Sequence, residues 1–332
     1  MSSVSGTCTN ACERQLQPYL VYLDLNKWID LARAEAGSEE GKKYESALKV
    51  AEESVLTGRA VFPLSFAHFM EVAKIGDDSR RRKLARLMVR LSHGWLLRSA
   101  SALLMAELRR AVAIQFQKPL PSEEIVPVTR SLKALFGEPT RLEFEDTIFS
   151  LPVVLEEFLA TARVSRDFVD RWTTFAHNHE VGRSMRWDVS RELRKRAYCA
   201  LVTIGIQDRL ALVLGEFGLK WKDLEHLGPD RCVRLLESVP FLDVEVNLHT
   251  ERNEQRDRRI APNDEIDLGF LSLAVSYCQA VFTEKFWVSL VHRTKLDAKY
   301  GTYVGHDLGQ MIAYVRRRER EASCPSWPLP DE

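Results

Sequence analysis

A short apolar run followed at once by a helical stretch recurs along this chain, and that unit restricts the fold more than any other feature. Tyr19-Leu20-Val21-Tyr22-Leu23 is such a run. It stops at Asp24, and Asn26 to about Ala36 then reads as a helix anchored by Trp28, Ile29 and Leu31 and closed by Gly37. A second helix is expected from about Glu39 to Leu56. Arg59-Ala60-Val61-Phe62-Pro63 repeats the pattern, with Ser65 placed to cap a helix that carries His68 and Glu71 and ends near Gly76. A basic helix over about Ser79 to Leu91, a third short run at 95–98 and a helix from Ser101 to Phe116 follow. The unit resumes late. Pro262 and Asn263 precede a nearly all-apolar helix from Asp264 to about Cys278, and Ala280-Val281-Phe282-Thr283 then reads as a strand ending at Glu284. A helix to about His292, a last strand at 301–304 and a helix over 306–320 complete it. Unbroken apolar runs of this length are the mark of strands buried on both faces. Alternated with helices, they imply a mostly parallel sheet covered by helices on both sides.

Residues 117–245 break the pattern. Amphipathic helices are expected near 122–136, 143–161, 163–180, 186–216 and 229–238, with no strand between them, so the segment reads as a helical insertion or second helical lobe. The expected organisation is a loose N-terminus over 1–17, a first α/β part over 18–116, the insertion over 117–245, a second α/β part over 246–320 and a tail over 321–332. Formal charge is balanced, with 47 basic and 47 acidic residues, so no global field draws nucleic acid to the chain. Any such binding must rest on local basic stretches. Those present are Arg80-Arg81-Arg82-Lys83, Arg191 to Arg196, Arg256-Asp257-Arg258-Arg259 and 316–320. The six cysteines (Cys8, Cys12, Cys199, Cys232, Cys278, Cys324) are scattered without the paired spacing of a zinc site. With no apolar run of about 18 residues and no signal-peptide core, the expectation is a soluble, cytoplasmic protein with no membrane association.

Acids stand at the ends of these units. Asp24 closes the first run, Glu71 lies on the helix after the second, and Glu284 closes the late one. In open α/β sheets, sites form outside the carboxyl ends of the strands, so parallel neighbours would bring these acids to one edge. Asp264 and Asp267 are three apart at a helix start and share a face. Asp264 also suits a helix N-terminus on electrostatic grounds alone. Asp267 heads the apolar face that continues through Leu271, Ala274 and Cys278, so it should point inward, where a carboxylate must be paired or bound to a metal. Clustered carboxylates suit a hard cation such as Mg²⁺ or Mn²⁺. Asp24, Glu71 and Asp267 are expected to converge within about 4–8 Å, close enough to share one or two ions.

The segments carrying these acids resemble the motifs of PIN-like nucleases. Val21-Tyr22-Leu23-Asp24-Leu25-Asn26-Lys27-Trp28 resembles the first, an acid at the end of the first strand. Pro63-Leu64-Ser65-Phe66-Ala67-His68-Phe69-Met70-Glu71 resembles the second, an acid on the following helix. The stretch from Asn263-Asp264-Glu265-Ile266-Asp267 to Thr283-Glu284-Lys285 resembles the third and fourth. The chain departs from the pattern at Glu284, where Asp is usual, and at Gln279, where some relatives carry an acid. The resemblance covers roughly 18–116 and 245–316. It implies a three-layer α/β/α PIN-like parallel sheet with a large α-helical insertion. It further implies a Mg²⁺- or Mn²⁺-dependent endonuclease acting on RNA in preference to DNA. Asp24, Glu71 and Asp267 would be the main metal ligands, with Asp264 and Glu284 assisting. Toxin-type and defence-type relatives suggest a growth-arrest or antiviral role, with a homo-oligomer or a neutralising or regulatory protein as partner.

Other readings stand beside this one. A PIN-like scaffold that binds RNA or protein through its helical lobe, without catalysis, is the alternative, and a DNA flap nuclease is a second enzymatic rival. His68, three residues before Glu71, is placed either to orient that carboxylate or to serve the core, while Asn26, Lys27 and Lys285 are candidates for phosphate contact. The His177-Asn178-His179-Glu180 stretch invites a zinc site, but histidines two apart do not share a helix face. Arg171 and His177 loosely match the spacing of HEPN ribonucleases.

Overall fold

Tyr19–Leu23 forms strand β1, which is central because its side chains are apolar on both faces. In the computed structural model, which describes residues 18–135, 151–163, 165–185 and 188–323, β1 pairs in parallel with β2 (Ala60–Val61) and β5 (Ala280–Phe282). Strand β5 pairs in parallel with β6 (Tyr303–Gly305), giving a four-stranded sheet in the order β2-β1-β5-β6. The register sets Leu23 beside Phe282. The residues that leave these two strands, Asp24 and Thr283-Glu284, therefore emerge together although some 260 positions separate them in the chain. From β1 the chain runs to β2 on one side and reaches β5 on the other. That is a topological switch point, where strand ends part and leave a crevice.

Helices cover both faces of the sheet. On one, Tyr19, Val21 and Leu23 of β1 pack with α1 (Leu25–Glu35), α2 (Glu45–Leu56), α4 (Asp78–Ser92) and α17 (Leu308–Ser323). On the other, Tyr22 packs with α5 (Ala100–Gln115), α13 (Pro240–Asn253), α14 (Pro262–Tyr277) and α15 (Lys285–Thr294). Helix α3 (Phe66–Val72) follows β2 and lies against α14 at the carboxyl edge. The chain is thus a mixed α/β protein in which helix predominates around a small parallel sheet.

The third expected run enters a different sheet. Leu96–Leu97 (β3) pairs antiparallel with Val128–Thr129 (β4) and touches the main sheet only through a single bridge to Leu64. Strand β4 lies in the segment expected to be helical throughout, so the insertion is not purely helical. Two residues are too few to print a periodicity.

The insertion is also less separate than its sequence suggests. After the short helix α6 (Leu132–Leu135), α7 (Pro152–Thr161) buries Leu155, Leu159 and Ala160 against the α4 side of the sheet. Helix α8 (Arg166–Ser184) packs on α14. Helices α9 (Arg191–Gly205), α10 (Gln207–Glu216), α11 (Trp221–Glu225) and α12 (Pro229–Glu237) join the opposite core. Helix α13 then runs across the boundary expected at 245. It escapes a sequence reading because it is buried nearly all round and so shows no amphipathic stripe. Its buried charges are paired: Asp243 with Lys299 and Tyr300, Glu251 with Arg191 and Arg293, Arg252 with Glu265. The short helix α16 (Leu296–Tyr300) supplies that lysine and tyrosine.

The N-terminal stretch 1–17, the first part of the helix expected over 143–161, and Cys324 with the tail beyond it lie outside the described residues. Among the described residues no single helix is long and apolar enough to cross a membrane.

Candidate active site

Asp24 occupies the N-cap position of α1, yet its side chain makes no capping hydrogen bond. Its Oδ2 instead accepts from Thr283 Oγ1 at 3.1 Å, across the switch point between β1 and β5. The carboxylate is half-buried. Burial raises its pKa, the Thr283 hydroxyl opposes that shift, and the charge of Glu284 raises it further.

Glu71 sits on α3, also half-buried, and its carboxylate makes no hydrogen bond to the described residues. Burial, followed by the charge of Asp24, pushes its pKa up to about 7, while Lys74 acts the other way. Asp267, one turn into α14, accepts from Trp287 Nε1 at 3.3 Å. Burial first, then Asp24, Glu71 and Glu284, push its pKa up to about 8. Glu284 is exposed at the start of α15, and its Oε1 accepts from Asn26 Nδ2 at 3.1 Å. Four carboxylates from four separate elements therefore repel one another at one edge of the sheet. Among the described residues no group of three or more His, Cys, Asp or Glu side chains is arranged to hold a metal ion, so the shared ion-binding group expected of Asp24, Glu71 and Asp267 is not formed in this structure.

Asp264 does not belong to this group. Its two oxygens accept from Arg258 at 2.6 and 2.7 Å, and Oδ2 also accepts from the Ala261 N–H at 2.9 Å. The assisting role expected for it gives way to a buried helix-start pair, which is what an acid in the first turn of α14 does with a guanidinium at hand. Arg258 itself stacks 3.8 Å over the Phe286 ring and feels the charges of Glu284 and Asp267, so it stands at the rim of the cluster. Nothing in the sequence singles out Arg258 from its neighbours. Thr283 was legible only as part of the fourth motif, and Trp287 gave no signal.

His68 serves the frame. It is fully buried, and its Nδ1 accepts the Ser65 N–H at 2.8 Å while Nε2 lies 2.7 Å from the Leu23 carbonyl. An amide can only donate and a carbonyl only accept, so these partners fix a neutral ring with the proton on Nε2. Ser65 Oγ in turn is 3.1 Å from Tyr22 OH. The ring ties the start of α3 to the last residue of β1, and so fixes Glu71 relative to Asp24 without touching either. Burial pushes its pKa down to about 4. His68→Ala should lower stability by about 2–4 kcal/mol in urea melts at pH 7, because it opens a cavity and leaves two buried backbone groups unpaired. The depressed pKa also means that the unfolded chain takes up this proton first, so the wild type should lose stability as pH falls from about 6.5 to 4.

The remaining candidates separate cleanly. Gln279 precedes β5, and its Oε1 accepts the Leu20 N–H at 2.6 Å. It stands at the amino end of the strand, so its identity does not alter the acid cluster. Lys27 is close enough to lower the pKa of Asp24. Lys285 is exposed beside Glu284. His179 is 3.0 Å from Glu265, and Glu180 binds Arg183 and the Ile260 N–H, so the histidine stretch is used in packing α8. Arg171 and His177 are both exposed on that helix. No protein-family model, no curated protein and no solved structure matches this chain.

Proposed function

We propose that this chain is a divalent-metal-dependent nuclease of PIN-like type, acting on RNA in preference to DNA. The observation that carries the reading is that Asp24 and Glu284 leave neighbouring parallel strands together while Glu71 and Asp267 lie on helices packed at that same edge, so that like charges are gathered there. Structural carboxylates are normally paired with cations of the protein, as Asp264 and Glu265 are here. Half-buried acids facing each other are costly unless protons or a metal ion neutralise them. The donor set is all oxygen, which suits Mg²⁺ or Mn²⁺. Such ions keep several waters and take one or two carboxylates each, so a closed protein cage is not required. Asp24, Glu71 and Asp267 would be the main holders, with Glu284 assisting. When bound, the ion would polarise the scissile phosphate and stabilise the leaving oxygen. The protein's own contribution is placement. Thr283 and Trp287 each fix one oxygen of an acid, and His68 locks the two elements that carry Asp24 and Glu71.

Cleavage of single-stranded RNA, single-stranded DNA and a flap DNA should be assayed with Mg²⁺, with Mn²⁺ and with chelator. Cleavage confined to the metal arms, and greatest on RNA, is expected. No cleavage of any substrate would sink the proposal.

A second reading keeps the fold and drops the chemistry: a PIN-like scaffold that binds RNA or protein. The absence of a ready-made three-donor group among the described residues favours it. Calorimetric Mn²⁺ titration separates the two, since a scaffold has no need to bind the ion at Asp24.

A further inference from the structure

Beside the acid cluster lies a small group of rings that the protein covers only in part, Phe66 and Phe270 reaching it from the edges of the two main cores. Ala67 and Met70 of α3 and Ile266 of α14 form its buried floor, and Phe66, Phe270 and Trp172 rest on that floor only partly covered. The Phe66 and Phe270 rings are 6.3 Å apart, and Trp172 meets Phe175 edge-on at 5.8 Å. Phe175 is 46% exposed. The rings that serve the core of this protein behave otherwise, since Trp28, Phe62, Phe282 and Trp287 are fully buried.

The position of this shelf is what gives it meaning. Each of two floor residues directly precedes an acid of the cluster, Met70 before Glu71 and Ile266 before Asp267. Phe270 lies three residues beyond Asp267 on the same helix, so both occupy one face. The third wall is α8, which belongs to the insertion. Basic groups flank the rings. Lys74 is exposed one turn beyond Met70, its Nζ bonded to Asn263 at 3.0 Å, and Arg171 is exposed one turn before Phe175. Partly open aromatic faces with cations at their margins match one occupant, a strand whose bases are unpaired and whose phosphates run alongside. A duplex hides its base faces and cannot use such a shelf.

We infer that Phe270 and Trp172 form a stacking platform for single-stranded nucleic acid, delivered to the acid cluster between α14 and the insertion helix α8. The inference rests on the nuclease reading for its purpose, but its test does not depend on cleavage. Binding of fluorescein-labelled single-stranded RNA, single-stranded DNA and duplex should be followed by anisotropy in chelator, where no metal-dependent reaction runs. Trp172→Leu and Phe270→Leu keep apolar volume and remove the ring, and thermal melts verify that both remain folded. Each should weaken single-strand binding about tenfold or more and leave duplex binding as it was. Trp172→Phe should restore most of the loss, and the RNA and DNA arms tell which sugar the platform accepts.

Leu variants that bind single strands like the wild type overturn the inference, as does a wild type that binds no single strand. A wild type that cleaves while both Leu variants bind normally would leave the nuclease reading standing and remove this one. Ring-dependent binding without cleavage under either metal would do the reverse.

Discussion

Asp24→Asn is expected to reduce metal-dependent cleavage by about 10²–10⁴-fold, the range for removing one essential group from a phosphodiester site. The metal-free protein should remain as stable as the wild type or become about 0.5–2 kcal/mol more stable, because one of four mutually repelling charges is gone. The substitution is nearly isosteric. Asparagine keeps an oxygen that can accept from Thr283 Oγ1, so the bridge between the ends of β1 and β5 survives. A capping role predicts the opposite pair of results, with activity kept and stability down by about 0.5–2 kcal/mol. The geometry already weighs against that role, since Asp24 makes no capping hydrogen bond in α1. Denaturant melts in chelator and a cleavage assay on the same two proteins decide the matter. An equally active, less stable Asp24→Asn protein would mean that Asp24 is structural, and the proposal built on it would fall.

The elements that were legible in the sequence are those whose environment is symmetric along the chain. Strand β1, strand β5 and the helices that follow them print unbroken apolar runs and helix starts, and the structure places them within a residue or two of expectation. Their adjacency followed only from the general rule that parallel strands present one edge. What stayed hidden has physical causes in each case. Helix α13 carries no stripe because it has no solvent side, and its acids and bases look like surface residues until their partners are known. The β3–β4 ribbon is two residues long on each side.

The site was partly legible for a similar reason. A sequence can place an acid at a strand end but cannot say which cation will reach it. Arg258 takes Asp264 out of the cluster, while among the described residues no guanidinium pairs directly with Asp24, Glu71 or Asp267, and Arg258 meets Asp267 only as a nearby charge. The spacing of His68 and Glu71 leaves two roles open, orienting the carboxylate or serving the core. The ring turns toward Ser65 and Leu23, because two buried backbone groups there need partners more than a half-exposed carboxylate does.

The raised acids also make the metal-free protein sensitive to pH in a defined direction. Glu71 is pushed up to about 7 and Asp267 to about 8, against ordinary values of 4.5 and 3.8. Between about pH 4 and 8 the folded protein therefore holds protons that the unfolded chain has released. Stability must fall as pH rises through that window, by about 2–4 kcal/mol for the two groups together once their partial exposure is allowed for. His68 gives the opposite slope below about pH 6.5, so the effect is isolated by subtracting the profile of Asp267→Asn from that of the wild type. The difference should grow steadily from pH 5 to 8.5 in chelator. Saturating Mn²⁺ should shrink it, because a cation replaces the protons as the neutralising charge. Binding of Mn²⁺ at pH 7 should accordingly release about one to two protons, read from calorimetry in buffers of different ionisation enthalpy, and tighten as pH rises toward 8. A flat difference profile would remove the electrostatic case for the cluster. Mn²⁺ binding without proton release would place the ion elsewhere on the molecule.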